Sequence, residues 1–409
     1  DPQARKLETD MYPAGTPWVA HVTPICPSPS DFYAHIVQDR HLNRQFTSHA
    51  LNFTLSQPLL KSELRQLIEA DPCILGFSGA QTYRLSYDIN DAYFVAGQIP
   101  YVEQINAANG FDLFFNESWG ISSSDFTTTR VAVVDSGVAT GHPDLSGNIF
   151  RFINPTDRTS ATGYDVTELV NGGSPYSVGD NDISGHGTHV AGIIGAVGNS
   201  AGIIGVAYRD VEIFNLKAFR QQNGAITSDS SFVINAIKSA ICNDVDVINM
   251  SFQGEMSNNF ANRSSFEIQR DDVYQEHLED AVRAGIVVVT VTGNASSDYP
   301  QQEMTDNGFN VIPGRFAKNL PGMIAVAALN EQASDLAPFS YFSSTYAEIA
   351  APGTNIISTV PQLGTPFYSY EPRSGTSMAA PMVSGAASLV FSLLRSHGYF
   401  PTPELVEDI

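Results

Sequence analysis

The sequence predicts an α/β fold, a mostly parallel sheet with helices on both faces, preceded by a small α+β unit of ferredoxin-like type. Three observations predict it. From residue 130 onward, short runs rich in Val and Ile alternate with helical patterns, as strands buried on both faces demand. Between residues 15 and 85, strand and helix patterns alternate in a compact order of their own. Near the end, Ser374-Gly375-Thr376-Ser377 forms a Gly-containing turn that leads straight into an apolar helix running to about Leu394. The expected division is an α+β unit at 1–90, a linker at 91–97 and the α/β unit at 98–409.

In the first unit, Trp18–Ile25 reads as a strand and Ser28–Leu42 as a helix with Ser30 and Asp31 as candidate caps. Ala50–Leu55 is a second strand. Leu59–Ala70 is an amphipathic helix, with Leu60, Leu64, Leu67 and Ile68 on one face and Lys61, Glu63 and Arg65 opposite. Cys73–Phe77 is a third strand, and Thr82–Ser86 is a candidate continuation. If the first and last strands pair antiparallel, Cys26 and Cys73 come near one another and a disulfide is geometrically reasonable. Residues 84–99 lack a firm period and read as a linker. A helix patterned on Val102, Ile105, Ala108 and Phe111 follows.

The expected core strands are Val131–Val134, Val211–Leu216, Val245–Met250, Ile286–Val291 and Met323–Ala327. In such sheets ligands bind beyond the carboxyl ends of the strands. The first tip is Asp135-Ser136-Gly137, a turn former or a functional acid. His186 follows between glycines at a helix start, which leaves its imidazole accessible, whereas His189 one turn on suits a buried site. A zinc reading of this HxxH fails for want of a Glu between the histidines and a third ligand. A third tip holds Gly293-Asn294, a turn residue or an amide donor for an oxyanion. Ser377 stands where helix N–H groups and the dipole favour negative charge, though a Ser-capped buried helix has the same sequence.

Composition bounds the partners. A net charge of −22 on 409 residues argues against nucleic acid and anionic membranes, and fits a secreted or extracellular protein. No apolar run is expected to span a membrane. Three Cys, without CxxC, exclude a zinc framework, and Cys242 reads as a buried hydrophobe.

Taken together, Asp, His, Asn and Ser lie in that chain order. The blocks VAVVDSGVATGHPDL, GHGTHVAGIIG, VDVINMSF, TVTGNA and SGTSMAAPMVSGAA resemble those of the subtilisin-like serine proteases, the subtilases. They cover residues 130–390, with weaker similarity back to about 98. The resemblance implies a serine endopeptidase of polypeptides with catalytic Asp135, His186 and Ser377, and Asn294 in the oxyanion hole. Ser251, Phe252, Gln253 and Gly254 match the segment that pairs with substrate, with Phe-Gln where the family commonly has Leu-Gly. It further implies Ca²⁺ held by Asp144, Asn199 and the carbonyls of Val197, Ala201 and Ile203, with Gln98 as a looser candidate. Asp165, Asp180 and Asp182 are either a second site or a solvated acidic loop. Residues 1–90 resemble, in element order, a subtilase prodomain that assists folding, is cleaved by the enzyme itself and then inhibits; a permanent accessory domain is the alternative. The family's catalytic domains usually run past the equivalent of Ile409, so a truncated C-terminal end is expected.

Overall fold

A computed structural model of the chain describes the strands within residues 11–79 and residues 127–409, apart from 154–159, 172–173, 178, 200, 255, 258–264, 298, 307, 348 and 363–366. Two compact units divide it, Asp1–Ser86 with Asp408–Ile409, and Tyr87–Glu407.

In the first unit, Phe46–Thr47, Ala50–Thr54, Pro17–Val22 and Ile74–Gly79 form a four-stranded antiparallel sheet in that order. The first and last of the expected strands do pair, with Trp18 opposite Gly79 and Val22 opposite Ile74. Leu59–Leu60, expected to open a helix, instead pairs as a short strand with Met11–Tyr12. Two adjacent leucines suit either state, and the available partner strand decides between them. The helices expected at 28–42 and 61–70, Cys26, Cys73, the linker, Gln98 and the 102–111 helix lie outside the described residues.

The second unit is built on eight strands. They are β1 (Thr129–Asp135), β2 (Gly163–Asp165), β3 (Tyr176–Ser177), β4 (Val211–Lys217), β5 (Val247–Met250), β6 (Val287–Val291), β7 (Met323–Leu329) and β8 (Ile349–Pro352). Their order is β3-β2-β4-β1-β5-β6-β7-β8, parallel throughout except where β3 joins β2. The chain moves to one side of β1 to form β4 and then crosses to form β5 on the other. That reversal opens a crevice at the carboxyl ends of the central strands. The sequence pattern located β1, β4, β5, β6 and β7. It missed β2, β3 and β8, which are short and carry Gly163, Pro352 and polar residues in place of an apolar run.

Alternation along β1 feeds two cores. Val131 and Val133 face helices α1 (His186–Gly195) and α4 (Thr376–Ser396). Ala132 and Val134 face α2 (Ser230–Cys242) and α3 (Ser265–Arg283). All four side chains are fully buried, each Val contributing about 1.5–3 kcal/mol. Cys242, expected inside, is exposed at the end of α2. Among the described residues α4 is the one helix long and apolar enough to cross a membrane, contrary to the expectation that no run reaches that length. Most of it is buried against the sheet, as befits a core helix.

Between β8 and α4 lies a hairpin of β9 (Ile356–Pro361) and β10 (Tyr368–Arg373). Its end leads directly through Ser374 and Gly375 into α4.

Candidate active site

Asp135 ends β1 and is 2 % exposed. Its Oδ1 accepts from the Ser136 N–H at 2.7 Å. His186 Nδ1 lies 2.8 Å from Oδ1 and 3.0 Å from Oδ2. A carboxylate only accepts, so Nδ1 carries the proton and donates, leaving Nε2 as the imidazole's acceptor.

This approach depends on Gly187. A Cβ there would lie 2.2 Å from the Gly137 carbonyl oxygen and 3.0 Å from Asp135 Cβ, so any side chain would push α1 off the strand tip. Gly185, at φ 75°, makes the turn into the helix but supplies no side-chain cap. Asp182 does that work from upstream. Its Oδ1 accepts from the N–H groups of Ser184 and Gly185 and from Ser136 Oγ, and its Oδ2 accepts from the N–H of Thr188. Asp182 thus locks the helix start that carries His186 to the turn that follows Asp135.

Burial pulls the His186 pKa down, but the charge and hydrogen bond of Asp135, aided by Asp182, outweigh it, and the net direction is up; Arg373 opposes. His189 behaves otherwise. Burial drives its pKa down to about 3, Arg373 and His186 push the same way, and the hydrogen bond to the Glu371 carbonyl resists. It is the buried, neutral histidine expected from its position.

Ser377 is the second residue of α4. Its Oγ donates to the Ser251 carbonyl at 2.9 Å. Ser251, just past β5, is held from behind: Asn249 Nδ2 donates to Ser251 Oγ, and Ser384 Oγ on α4 donates to Asn249 Oδ1. Pro381 is the sixth residue of α4, so the Ser377 carbonyl loses its ordinary helical partner.

Asn294 follows β6. Its Oδ1 accepts from the Thr376 N–H at 2.9 Å and Thr376 Oγ1 at 3.1 Å. These two donors fix which end of the carboxamide is oxygen, so Nδ2 points away from Thr376 and lies 3.4 Å from where a Gly375 Cβ would sit. Four sites expected from the sequence, Asp135, His186, Asn294 and Ser377, therefore sit at the strand tips and helix starts of one sheet edge.

Of the segment matched to substrate pairing, Phe252 packs edge-on against Phe219 at 5.3 Å, and the Gly254 N–H donates to the Ile312 carbonyl at 2.8 Å. The Gln253 side chain turns inward onto Asn294.

Of the residues expected to hold calcium, Asp144, Val197, Asn199 and Ile203 come together, while Gln98 lies outside the described residues. Asp144, fully buried, accepts from Asn199 Nδ2 at 3.1 Å, the Ile203 N–H at 2.9 Å and the Tyr370 hydroxyl at 2.9 Å. Val197 N–H donates to the Asp144 carbonyl. The side-chain and carbonyl oxygens here are hard donors of the kind Ca²⁺ takes, but Asn199 Nδ2 faces Asp144 while its Oδ1 accepts from the Ala201 N–H at 3.0 Å, so the amide must turn before Oδ1 can join a cation. Among the described residues no group of three or more His, Cys, Asp or Glu gathers as a metal site. The second cluster is not one: Asp165 pairs with Lys217 at 2.7 Å, Asp180 accepts from Gly141 N–H and Tyr368, and Asp182 caps α1.

Two features here went unread in the sequence: the capping role of Asp182 and the Gln253–Asn294 contact. Asp182-Ile183-Ser184-Gly185 ahead of a helix is a recognisable cap signal. Nothing local marks Gln253, whose partner is 41 residues away.

A buried carboxylate on an imidazole, with a helix-start serine across a parallel sheet's carboxyl edge, is the arrangement of a nucleophilic hydrolase. Residues 127–406 match the family model described as the subtilase family, and the chain belongs to this family of subtilisin-like serine proteases. It is 30 % identical over 292 residues to subtilisin-like protease 2 of Plasmodium falciparum, covering 71 % of this chain but only 19 % of that protein. With subtilisin of Bacillus pumilus it shares 35 % identity over 266 residues, 65 % of this chain and 78 % of the relative. Among solved structures, a protease of Pseudoalteromonas arctica superposes with a TM-score of 0.55 at 27 % identity, over 78 % of this chain and 90 % of the other. A lanthipeptide protease, at 19 % identity and a TM-score of 0.56, shares the fold.

Proposed function

We propose that the chain is a secreted serine endopeptidase that cleaves polypeptides through an acyl-enzyme. The observation that carries the reading is the His186 Nδ1–Asp135 pair at 2.8 Å, which leaves Nε2 unprotonated and able to act as base toward Ser377. The Ser377 hydroxyl turns from the Ser251 carbonyl toward the imidazole as substrate enters. Its oxygen attacks the scissile carbonyl carbon while Nε2 takes the proton. Asn294 Nδ2 and the Ser377 N–H donate to the oxyanion. The leaving amine departs with the proton from His186, and water then reverses the sequence to free the acid. Asp135 holds the tautomer and stabilises the imidazolium. Substrate lies along Ser251, Phe252, Gln253 and Gly254 as an added strand.

Ca²⁺ would be held by Asp144, Asn199 and the carbonyls of Val197, Ala201 and Ile203, with Gln98 as a further ligand. There it would tie the 197–203 loop to the 142–145 turn and take no part in bond chemistry. Residues 1–90 act as a prodomain, cleaved in cis and retained as an inhibitor.

The test is intact mass against time in calcium buffer, for wild type and Ser377→Ala, beside hydrolysis of a labelled peptide. Wild type splitting between about residues 83 and 98 while Ser377→Ala stays whole is the expected result. Wild type that hydrolyses peptide yet stays whole would remove the prodomain reading alone. Wild type without peptide hydrolysis would overturn the protease reading.

A further inference from the structure

The segment at Asn294 has the habit of an edge strand. The Gly293 carbonyl accepts from Tyr341 N–H at 3.0 Å, and the Ala295 N–H donates to the Phe339 carbonyl at 2.7 Å. Both of these groups face the 339–341 segment. In extended chain the intervening residue turns its own N–H and C=O to the opposite side. Among the described residues no backbone group hydrogen-bonds to them there. The Asn294 N–H donates to Gln253 Oε1, and Gln253 Nε2 donates to the Asn294 carbonyl at 3.2 Å. One side-chain carboxamide does what a neighbouring strand's peptide group would do.

Gly293 is shaped for this contact. It holds φ 97°, and a Cβ on it would lie 2.8 Å from Gln253 Oε1. Asn294 is thus gripped by the 339–341 segment on one edge, by Gln253 on the other and by Thr376 at its carboxamide oxygen. Among the described residues its Nδ2 is the end left to meet a ligand. Donors aimed at a developing charge act because they are already in place, so freedom in the Asn294 backbone would be paid in the transition state.

We infer that Gln253 is a positioning residue for the oxyanion hole, acting through the Asn294 backbone. This rests on the reading of Asn294 as oxyanion donor and adds a residue to it. Gln253→Met keeps the length and loses both hydrogen bonds. It lowers kcat by about tenfold with KM within about twofold, a fraction of the roughly 10²–10³ carried by an oxyanion-hole Asn. In an Asn294→Ala background the same change alters kcat less than about twofold, because groups acting through one another are not additive.

The measurement is this four-variant cycle of kcat and KM on a labelled peptide, with thermal unfolding of each variant in the Ser377→Ala background. If Gln253→Met does not fold, Gln253→Asn, one methylene too short to reach Asn294, takes its place. An unchanged kcat, an equal loss in both backgrounds, or a loss confined to KM would overturn the inference while leaving the protease reading intact. A wild type that cleaves no peptide removes the protease reading instead.

Discussion

Asp135 and Asp144 stand nine residues apart, one at the end of β1 and one in a turn beyond it, and both are buried, at 2 % and 0 % exposure. What faces them differs. Asp135 meets an imidazole at 2.8 Å that can take up a proton. Asp144 meets an amide, a backbone N–H and a phenol, all neutral. A buried carboxylate needs donors in either case. Where one donor titrates near neutral pH, the pair supports proton transfer; where none does, the carboxylate organises a loop.

Substitution separates the two roles. Asp135→Asn keeps the volume and loses the charge that orients and stabilises the imidazolium, and kcat falls by roughly 10⁴ with little change in thermal stability. Asp144→Asn does the reverse, costing about 1–3 kcal/mol of stability while kcat stays within a few fold. Thermal unfolding beside peptide kinetics checks both, and a large kcat loss in Asp144→Asn would collapse the distinction. If the cation reading is right, chelator lowers the Tm of wild type but not of Asp144→Asn.

Between these lies Asn294→Ala, expected to lower kcat by roughly 10²–10³, the range known for an oxyanion-hole Asn in subtilisin itself. The loss should fall on kcat rather than KM.

The smallest effects are those of pH. On the proposed mechanism the base form of His186 is the active one, and its pKa is raised, so the acid limb of kcat/KM is expected above pH 6.5. A limb below pH 6 would contradict the pairing with Asp135. His189, held near 3 in the folded state against about 6.5 when unfolded, takes up its proton on unfolding. Its contribution to stability is full above pH 6.5 and is lost as pH falls toward 3. His189→Gln should flatten the fall of Tm over that window, measured in the Ser377→Ala background.

Much of the site was legible because its residues sit at ends of elements with strong local signals. Val131–Val134 reads as a buried strand, so Asp135 falls at its tip, and the glycines around His186 mark an accessible helix start. Asp182 shows the limit. Its sequence neighbourhood suits a metal loop or a cap, and only the positions of Ser136 and Thr188 assign it to the cap. Gln253 shows it more sharply, since its partner comes from the next strand and no period in the chain pairs them.

By itself, the sequence determined the α/β class, the five long strands and the order Asp135, His186, Asn294, Ser377, since burial and helix signals act over a few residues. Only the tertiary structure decided the strand order with its crevice beside β1, the partners of Asp144 and Asp182, and the grip of Gln253 on Asn294. Most of those contacts join groups tens to hundreds of residues apart, whose meeting is set by how the sheet packs against its helices and not by any local propensity.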